Sequence, residues 1–422
     1  APRSEAERSG RNDAVLGELG SARTVPLAAY RQCRRWVQTY ERLPLDEYNG
    51  EARLRHRGTY LITGGIGEVG MVLAEHLARS VQARLILTGR SPLPPRAEWE
   101  RWLDTHAAAD RTAIRLRRLL ALEALRAEVM TATVDVADLA AMRQLLAAAT
   151  ERFGAIHGVI HAAGVVAGES FAPLEALDAA ACAEQFRPKV RGLLVLRELC
   201  ADRPLDFMMP VASISSVLGG LRFAAYAAAN QFMDAQCQRE HALGHTHWLS
   251  VDWDGWRFDA QPAGTADASV AALAITPTEG SAVFDRILHL VRLPQIVVST
   301  GDLAARIARW VQPQKPHAQT QSATAPNTAA RHARPNLSTQ HVAPTTATEG
   351  GLFIAPDRRS SRARRPPPFP SNSTRTPPPT TWSPSTVAMS AAPRGPSTSF
   401  SYTHPINATE GTALTRNVSP SW

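Results

Sequence analysis

Between positions 58 and 298, short apolar runs alternate with stretches of helical period. YLIT (60–63), ARLILTGR, EVMTATVDV, IHGVIHAAG, DFMMPVAS, HWLSVDW and PQIVVST read as strands. None alternates strictly between apolar and polar residues, so both faces of each strand are predicted to be covered. Between them lie helical patterns: MVLAEHLARS, two stretches within 97–127, DLAAMRQLLAAATERFG with Asp138 as its N-cap, 177–199, 224–242 and PTEGSAVFDRIL. Strands separated by helices predict an α/β fold, a Rossmann-like doubly wound parallel sheet with helices on both faces.

Outside this region the pattern changes. Residues 313–422 are rich in Pro, Ser, Thr and Arg and lack apolar periodicity; runs such as RRPPPFP cannot continue a helix or a central strand. A disordered C-terminal tail is predicted there. Residues 1–52, with LAAYRQCRRWVQTYERL, read as a strand left over from something larger. The expected division is 1–52, a catalytic body at 53–312, and the tail.

Charge follows the same division. The formal net charge is +8. Roughly 11 basic and 3 acidic residues lie beyond Gln314, so the body is near neutral. No basic face is predicted on the body, which argues against a nucleic-acid partner. No apolar run approaches the ~20 residues that span a bilayer, and the N-terminus carries no signal-peptide core. A cytoplasmic protein without a membrane partner is expected. The four cysteines are widely spaced, so neither a zinc site nor a disulfide framework is suggested; Cys182, Cys200 and Cys237 are expected to be buried thiols.

Two segments carry chemistry. TGGIGEVG (63–70) follows a strand and precedes a helix, with Gly64, Gly67 and Gly70 at Gly-x-x-Gly-x-x-Gly spacing. Glycines there allow a tight turn, close approach of backbone to a diphosphate, and close packing of helix on strand. The diphosphate then sits at a helix N-terminus. The next strand ends LTGRS, placing Arg90 where an acid would grip a ribose. An arginine fits a 2′-phosphate, hence NADPH. Asp135 ends a third strand and is expected at the adenine amino group, and His161-Ala-Ala-Gly164 offers small residues to a ribose.

The second segment is ASISSVLGGLRFAAYAAAN, with Ser213, Tyr226 and Asn230. Upstream lies Lys189, one of only two lysines in the chain and the sole lysine of the body. These side chains can polarise a ketone and deliver a proton to it.

In order, TGGIGEVG, LTGRS, DVAD, HAAG, RPKVRG, SISSVLGG, YAAAN and VDWDGW resemble the ketoreductase domain of a modular type I polyketide synthase, a member of the short-chain dehydrogenase/reductase superfamily. The likeness runs from about position 29 to about 310. Most of that superfamily carries Tyr-x-x-x-Lys. Here Asn230 stands at the lysine position and Lys189 lies upstream, as in the synthase-borne ketoreductases.

The resemblance implies an NADPH-dependent oxidoreductase that reduces a β-ketoacyl thioester, borne on the phosphopantetheine arm of an acyl carrier protein, among other polyketide synthase domains. It implies Tyr226 as proton donor, Lys189 as the cation that assists it, Ser213 on the ketone oxygen, and Asn230 orienting Lys189 and a relay water. It implies cofactor contacts from Thr63, Gly64, Gly65, Ile66, Gly67 and Gly70; from Arg90 and Ser91; from Asp135 and Val136; from Ala162, Ala163 and Gly164; and from Lys189 and Tyr226. Trp253 is expected near the nicotinamide, and PAGTADAS after it as part of a lid. The alternatives are a catalytically silent fragment of a synthase and a free-standing reductase of small ketones.

Three departures from the family pattern stand out. Val166, Ala167 and Gly168 replace a Leu-Asp-Asp element, and Leu218 replaces a Trp, so the hydroxyl configuration is not legible. Pro210 falls in a strand expected to be central, which predicts a local distortion just before Ser213. The tail carries no carrier-domain Asp-Ser-Leu, and with Ala at position 1 the chain reads as a fragment whose tail is out of frame or degenerate.

Overall fold

The computed structural model describes residues 5–20, 27–31, 34–43, 53–258, 272–289, 293–311, 351–354 and 412–420. The expected lid PAGTADAS and most of the low-complexity tail lie outside these residues.

In chain order the elements are α1 (Glu5–Leu19), β1 (Ala28–Arg31), β2 (Arg34–Arg42), β3 (Thr59–Thr63), α2 (Glu68–Val81), β4 (Arg84–Gly89), α3 (Trp99–Thr105), α4 (Arg111–Ala124), β5 (Glu128–Thr133), α5 (Leu139–Phe153) and β6 (Gly158–His161). Then come α6 (Ala179–Phe186), a π-helical turn (Arg187–Arg191), α7 (Gly192–Cys200), β7 (Phe207–Ser213), α8 (Ser215–Leu218), α9 (Ala224–Ala242), β8 (Ser250–Trp253), α10 (Pro277–His289), β9 (Gln295–Ser299), α11 (Leu303–Trp310), β10 (Gly351–Ile354) and β11 (Thr412–Pro420).

Seven parallel strands form the body of the sheet in the order β5-β4-β3-β6-β7-β8-β9. The apolar runs without alternation have the predicted consequence. Tyr60 and Ile62 of β3 join Leu85 and Leu87 of β4 in one core, under α2, α4 and α10. Leu61 and Ile86, one residue out of step, face the other core, under α5, α7 and α9. Asp110, Asp138, Asp178 and Asp302 cap α4, α5, α6 and α11 through their carboxylates, which fixes where each helix begins.

Strand order reverses between β3 and β6. That is the topological switch point of a doubly wound sheet, where a crevice opens at the carboxyl ends of the strands.

Pro210 occupies a central strand after all. On the β6 side the ladder is continuous through His161↔Pro210. On the β8 side it breaks between the Met208↔Trp248 bridge and Val211↔Val251, without a change of register. Met208 exchanges bonds with the β8 side through both its N–H and its carbonyl. Pro210, two residues on, faces the same way and has no N–H to give. The distortion is a missing rung, not a shifted strand.

The N-terminal stretch forms the β1–β2 hairpin, Ala28↔Val37 to Arg31↔Arg34. Two tail segments expected to lack regular structure are strands: β11 pairs antiparallel with β2 and with β9, and β10 runs parallel to β11. Strand pairing uses backbone groups, so composition alone does not forbid it. Cys200 and Cys237 are buried as expected; Cys182 is half-buried, because α6 fully buries only Gln185.

Candidate active site

The crevice at the switch point is a cavity of about 490 Å³, a usual size for a cofactor site. One end is built by the glycine loop between β3 and α2. Gly64 is left-handed at φ +70, and a Cβ there would stand 2.7 Å from the Ala162 carbonyl oxygen. A Cβ on Gly70 would stand 2.5 Å from the Gly64 carbonyl oxygen. Any side chain at either position would displace backbone, so the loop packs this closely only with glycine.

The helix that follows differs from α4 and α5, which aspartates cap. Gly67 is the N-cap of α2 and supplies no side-chain cap. Its first N–H groups therefore remain available to an anion at the cavity floor. This cradle and open helix end fit the diphosphate of a dinucleotide.

Arg90 and Ser91 at the end of β4 line the same cavity, and so does Arg115 of α4. Sequence reading missed Arg115, because the arginine-rich face RTAIRLRR reads as a solvated helix. Asp135 lines the cavity too, but its carboxylate is already engaged. It accepts from the Ala137 amide at 2.9 Å and from Arg187 Nε at 2.8 Å. Burial opposes its ionisation, yet these donors outweigh burial and hold the carboxyl below its ordinary range. Val136, Ala162, Ala163 and Gly164 line the middle of the cavity. Thr63 and Gly65 lie buried behind the loop, where Thr63 Oγ1 and His161 Nδ1 share a 2.7 Å hydrogen bond.

The other end carries the predicted polar group. Ser213 ends β7, Tyr226 lies in the first turn of α9, and both line the cavity beside Trp253 and Trp256. Lys189 comes from the π-helical turn. Pro188 has no N–H for the α-helical ladder, and the ladder widens there, the Gly192 N–H reaching five residues back to the Arg187 carbonyl. The turn sends Lys189 inward: it is only 5% exposed. Its Nζ donates to the Val211 carbonyl at 3.3 Å and stands 5.3 Å from the Tyr226 ring centroid. Gly164 leaves room for it, since a Cβ there would stand 3.1 Å from Lys189 Cε.

Electrostatics in this corner follow from burial. Burial lowers Lys189 to about 8, with Asp234 and Asp252 acting against it. Burial raises the Tyr226 phenol above its ordinary value, and Ser213 and Asn230 restrain that rise. Burial and the charge of Lys189 push His161 down to about 3, so it stays neutral. Asn230 does not line the cavity. It is fully buried behind Tyr226, one turn along α9, and its Nδ2 donates to the Tyr226 carbonyl at 2.8 Å.

Two further features were not read from the sequence. Phe171 and Phe223 flank the Tyr226 ring, with centroids 5.4 and 5.7 Å away. Arg222 holds them together: it adopts φ +67 and donates Nε to the Phe171 carbonyl at 2.7 Å. Behind the tryptophans, Asp254 forms a buried two-pronged ion pair with Arg306 of α11, and also accepts from Thr300. No side-chain cluster suited to a metal ion occurs among the described residues. No helix among them is long and apolar enough to cross a membrane.

Residues 58–258 match the family model of the KR domain. The chain is similar to polyketide synthase PksM of Bacillus subtilis, 30% identical over 317 residues that cover 73% of this chain and 7% of that protein. It is similar to a phenolphthiocerol/phthiocerol polyketide synthase of Mycobacterium tuberculosis, 36% identical over 234 residues that cover 53% of this chain and 12% of that protein. Among solved structures it resembles a ketoreductase domain from the bacillaene assembly line, with a TM-score of 0.58, 27% identity, and coverage of 71% of this chain and 67% of that one. The chain thus spans only a small part of the curated relatives' length.

Proposed function

Residues 58–258 belong to the KR domains of polyketide synthases, within the short-chain dehydrogenase/reductase superfamily, and on that premise we propose that the chain reduces a β-ketoacyl thioester to the β-hydroxyacyl form. The observation that carries this reading is Lys189, buried, with its ammonium group over the ring of Tyr226 at the mouth of a dinucleotide cradle.

A bound nicotinamide cofactor would supply the hydride needed at the β-carbon of the substrate. Tyr226 gives its phenolic proton to the oxygen that becomes the hydroxyl. Ser213 donates a hydrogen bond to that oxygen as negative charge gathers on it. Lys189 stabilises the phenolate left on Tyr226 and would hold the nicotinamide ribose. Asn230 fixes the first turns of α9 and, with Lys189, the path by which the phenol is reprotonated. Trp253 and Trp256 wall the reacting end against water.

The nicotinamide cofactor is read as NADPH. Two guanidinium groups, Arg90 and Arg115, line the end of the cavity by β4, and together they suit a 2′-phosphate. The substrate is read as arriving on an acyl carrier protein in the company of other polyketide synthase domains, in the cytoplasm. The test is direct. Purified chain with an N-acetylcysteamine β-ketoacyl thioester should consume NADPH and yield the β-hydroxy product; binding of NADPH without turnover would overturn the proposal.

A further inference from the structure

We propose that Asp234 and Asp252 are positioning residues: a buried carboxylate pair that holds Lys189 as an ammonium group behind Tyr226. The proposal rests on the reading of Lys189 as the cation of the site.

The placement is stepwise. Tyr226, Asn230 and Asp234 are four residues apart on α9, so they form one stripe on one face of the helix. Tyr226 opens the stripe at the cavity, and Asp234 ends it in the interior, 1% exposed. Asp252 enters from the sheet. Its partner across the ladder is Ala212, next to Val211, whose carbonyl receives Lys189. Asp252 is fully buried.

Each carboxylate accepts from a neutral donor. Ser250 Oγ donates to Asp234 at 2.6 Å, and Gln295 Nε2 donates to Asp252 at 2.6 Å. Gln295 is held in turn by Gln238 Nε2 at 2.8 Å. A buried carboxylate kept charged needs a nearby cation, and a buried ammonium needs a nearby anion.

The groups that act on Lys189 come from three elements: Tyr226 and Asp234 from α9, Asp252 from β8 and His161 from β6. His161 is kept neutral and adds no charge. Tyr226 is protonated at rest. Asp234 and Asp252 are the two groups that favour the charged lysine, against burial, which favours the neutral one. Asp252 also disfavours an idle phenolate on Tyr226. The pair therefore favours the charged lysine, and Asp252 adds to the burial that keeps the tyrosine protonated.

The chain has two lysines, Lys189 and Lys315, so lysine-selective 13C labelling gives two side-chain resonances, assigned with Lys315→Arg. The Lys189 titration is followed by NMR in the full chain and in Asp252→Asn and Asp234→Asn. In each variant the transition should move to lower pH by about one unit, and the alkaline limb of NADPH oxidation should move with it. A Lys189 transition unmoved in a folded Asp252→Asn variant would overturn the proposal. Should that variant unfold, Asp252→Asn in the Lys189→Met background decides. A double variant that folds supports the pair, and one that stays unfolded overturns it. A chain that shows the NMR shift yet never oxidises NADPH supports the pair while overturning the reading of the site as a reductase.

Discussion

Lys189 Nζ lies over the ring of Tyr226, 5.3 Å from its centroid. The two residues are far apart in sequence, and the cation reaches the phenol from a different helix than the one that bears it. The arrangement matters because a phenol is a weak acid at neutral pH and becomes a useful proton donor only when its anion is stabilised. Tyr226→Phe keeps the ring, its contacts with Phe171 and Phe223, and the cavity wall. It should lower kcat for thioester reduction by about 10²–10⁴-fold while leaving NADPH binding intact. Steady-state turnover alongside a fluorescence titration of the cofactor checks both halves.

The pH dependence has a definite sign. Reduction needs the charged form of Lys189, and burial lowers that group to about 8. The charged form is lost as pH rises through that value. Tyr226 is raised by burial, so it stays protonated over the same range. The alkaline limb of kcat/KM should therefore fall near pH 8 and report the lysine, not the tyrosine. A profile that stays flat well above this value would refute the assignment.

Arg90 and Arg115 approach one end of the cavity from different elements, the end of β4 and the face of α4. A charge-assisted hydrogen bond contributes about 1.5–3 kcal/mol, so Arg90→Ala and Arg115→Ala should each raise KM for NADPH by roughly tenfold or more. Neither should change KM for NADH much, since NADH has no 2′-phosphate. Parallel kinetics with the two cofactors test this, and equal losses with both would refute it.

The Asp254–Arg306 pair is a matter of stability. Both side chains are nearly out of solvent, at 6% and 10% exposure. Arg306→Met strands a buried carboxylate and should cost about 3–5 kcal/mol. Adding Asp254→Asn should recover much of the loss, because the double variant leaves no buried charge. Urea denaturation of the two single variants and the double variant measures this.

Much of this molecule was legible in its sequence, for physical reasons that differ by element. The strands were visible because both faces are buried, and a doubly buried strand is a continuous apolar run. The glycine loop was visible because backbone crowding excludes any side chain at Gly64 and Gly70. Ser213, Tyr226, Asn230 and Lys189 were visible through their order and spacing. Arg115 was not: an arginine on a helix looks the same whether it faces solvent or a cavity. Asp135 does line the cavity, but its partner Arg187 could not be foreseen, because that pairing crosses from the end of β5 to the π-turn. Pro210 was visible as an anomaly, but sequence alone could not say that β6 would keep its ladder while β8 lost a rung.

The π-turn at Arg187–Arg191 acts as a phase shifter. A turn widened by one residue puts the helix after it out of step with the helix before it by about 100°. Upstream of the shift, Arg187 is directed to Asp135 just beyond β5. Downstream, Gly192 is pressed against Val136 and His161, where a Cβ would stand 2.6 Å from Val136. One unbroken α-helix could not satisfy both contacts and aim Lys189 between them. Loss of a single codon here would let the helix heal into a regular and more ordinary one. The fold would survive that repair, and the ammonium group would turn away from the phenol.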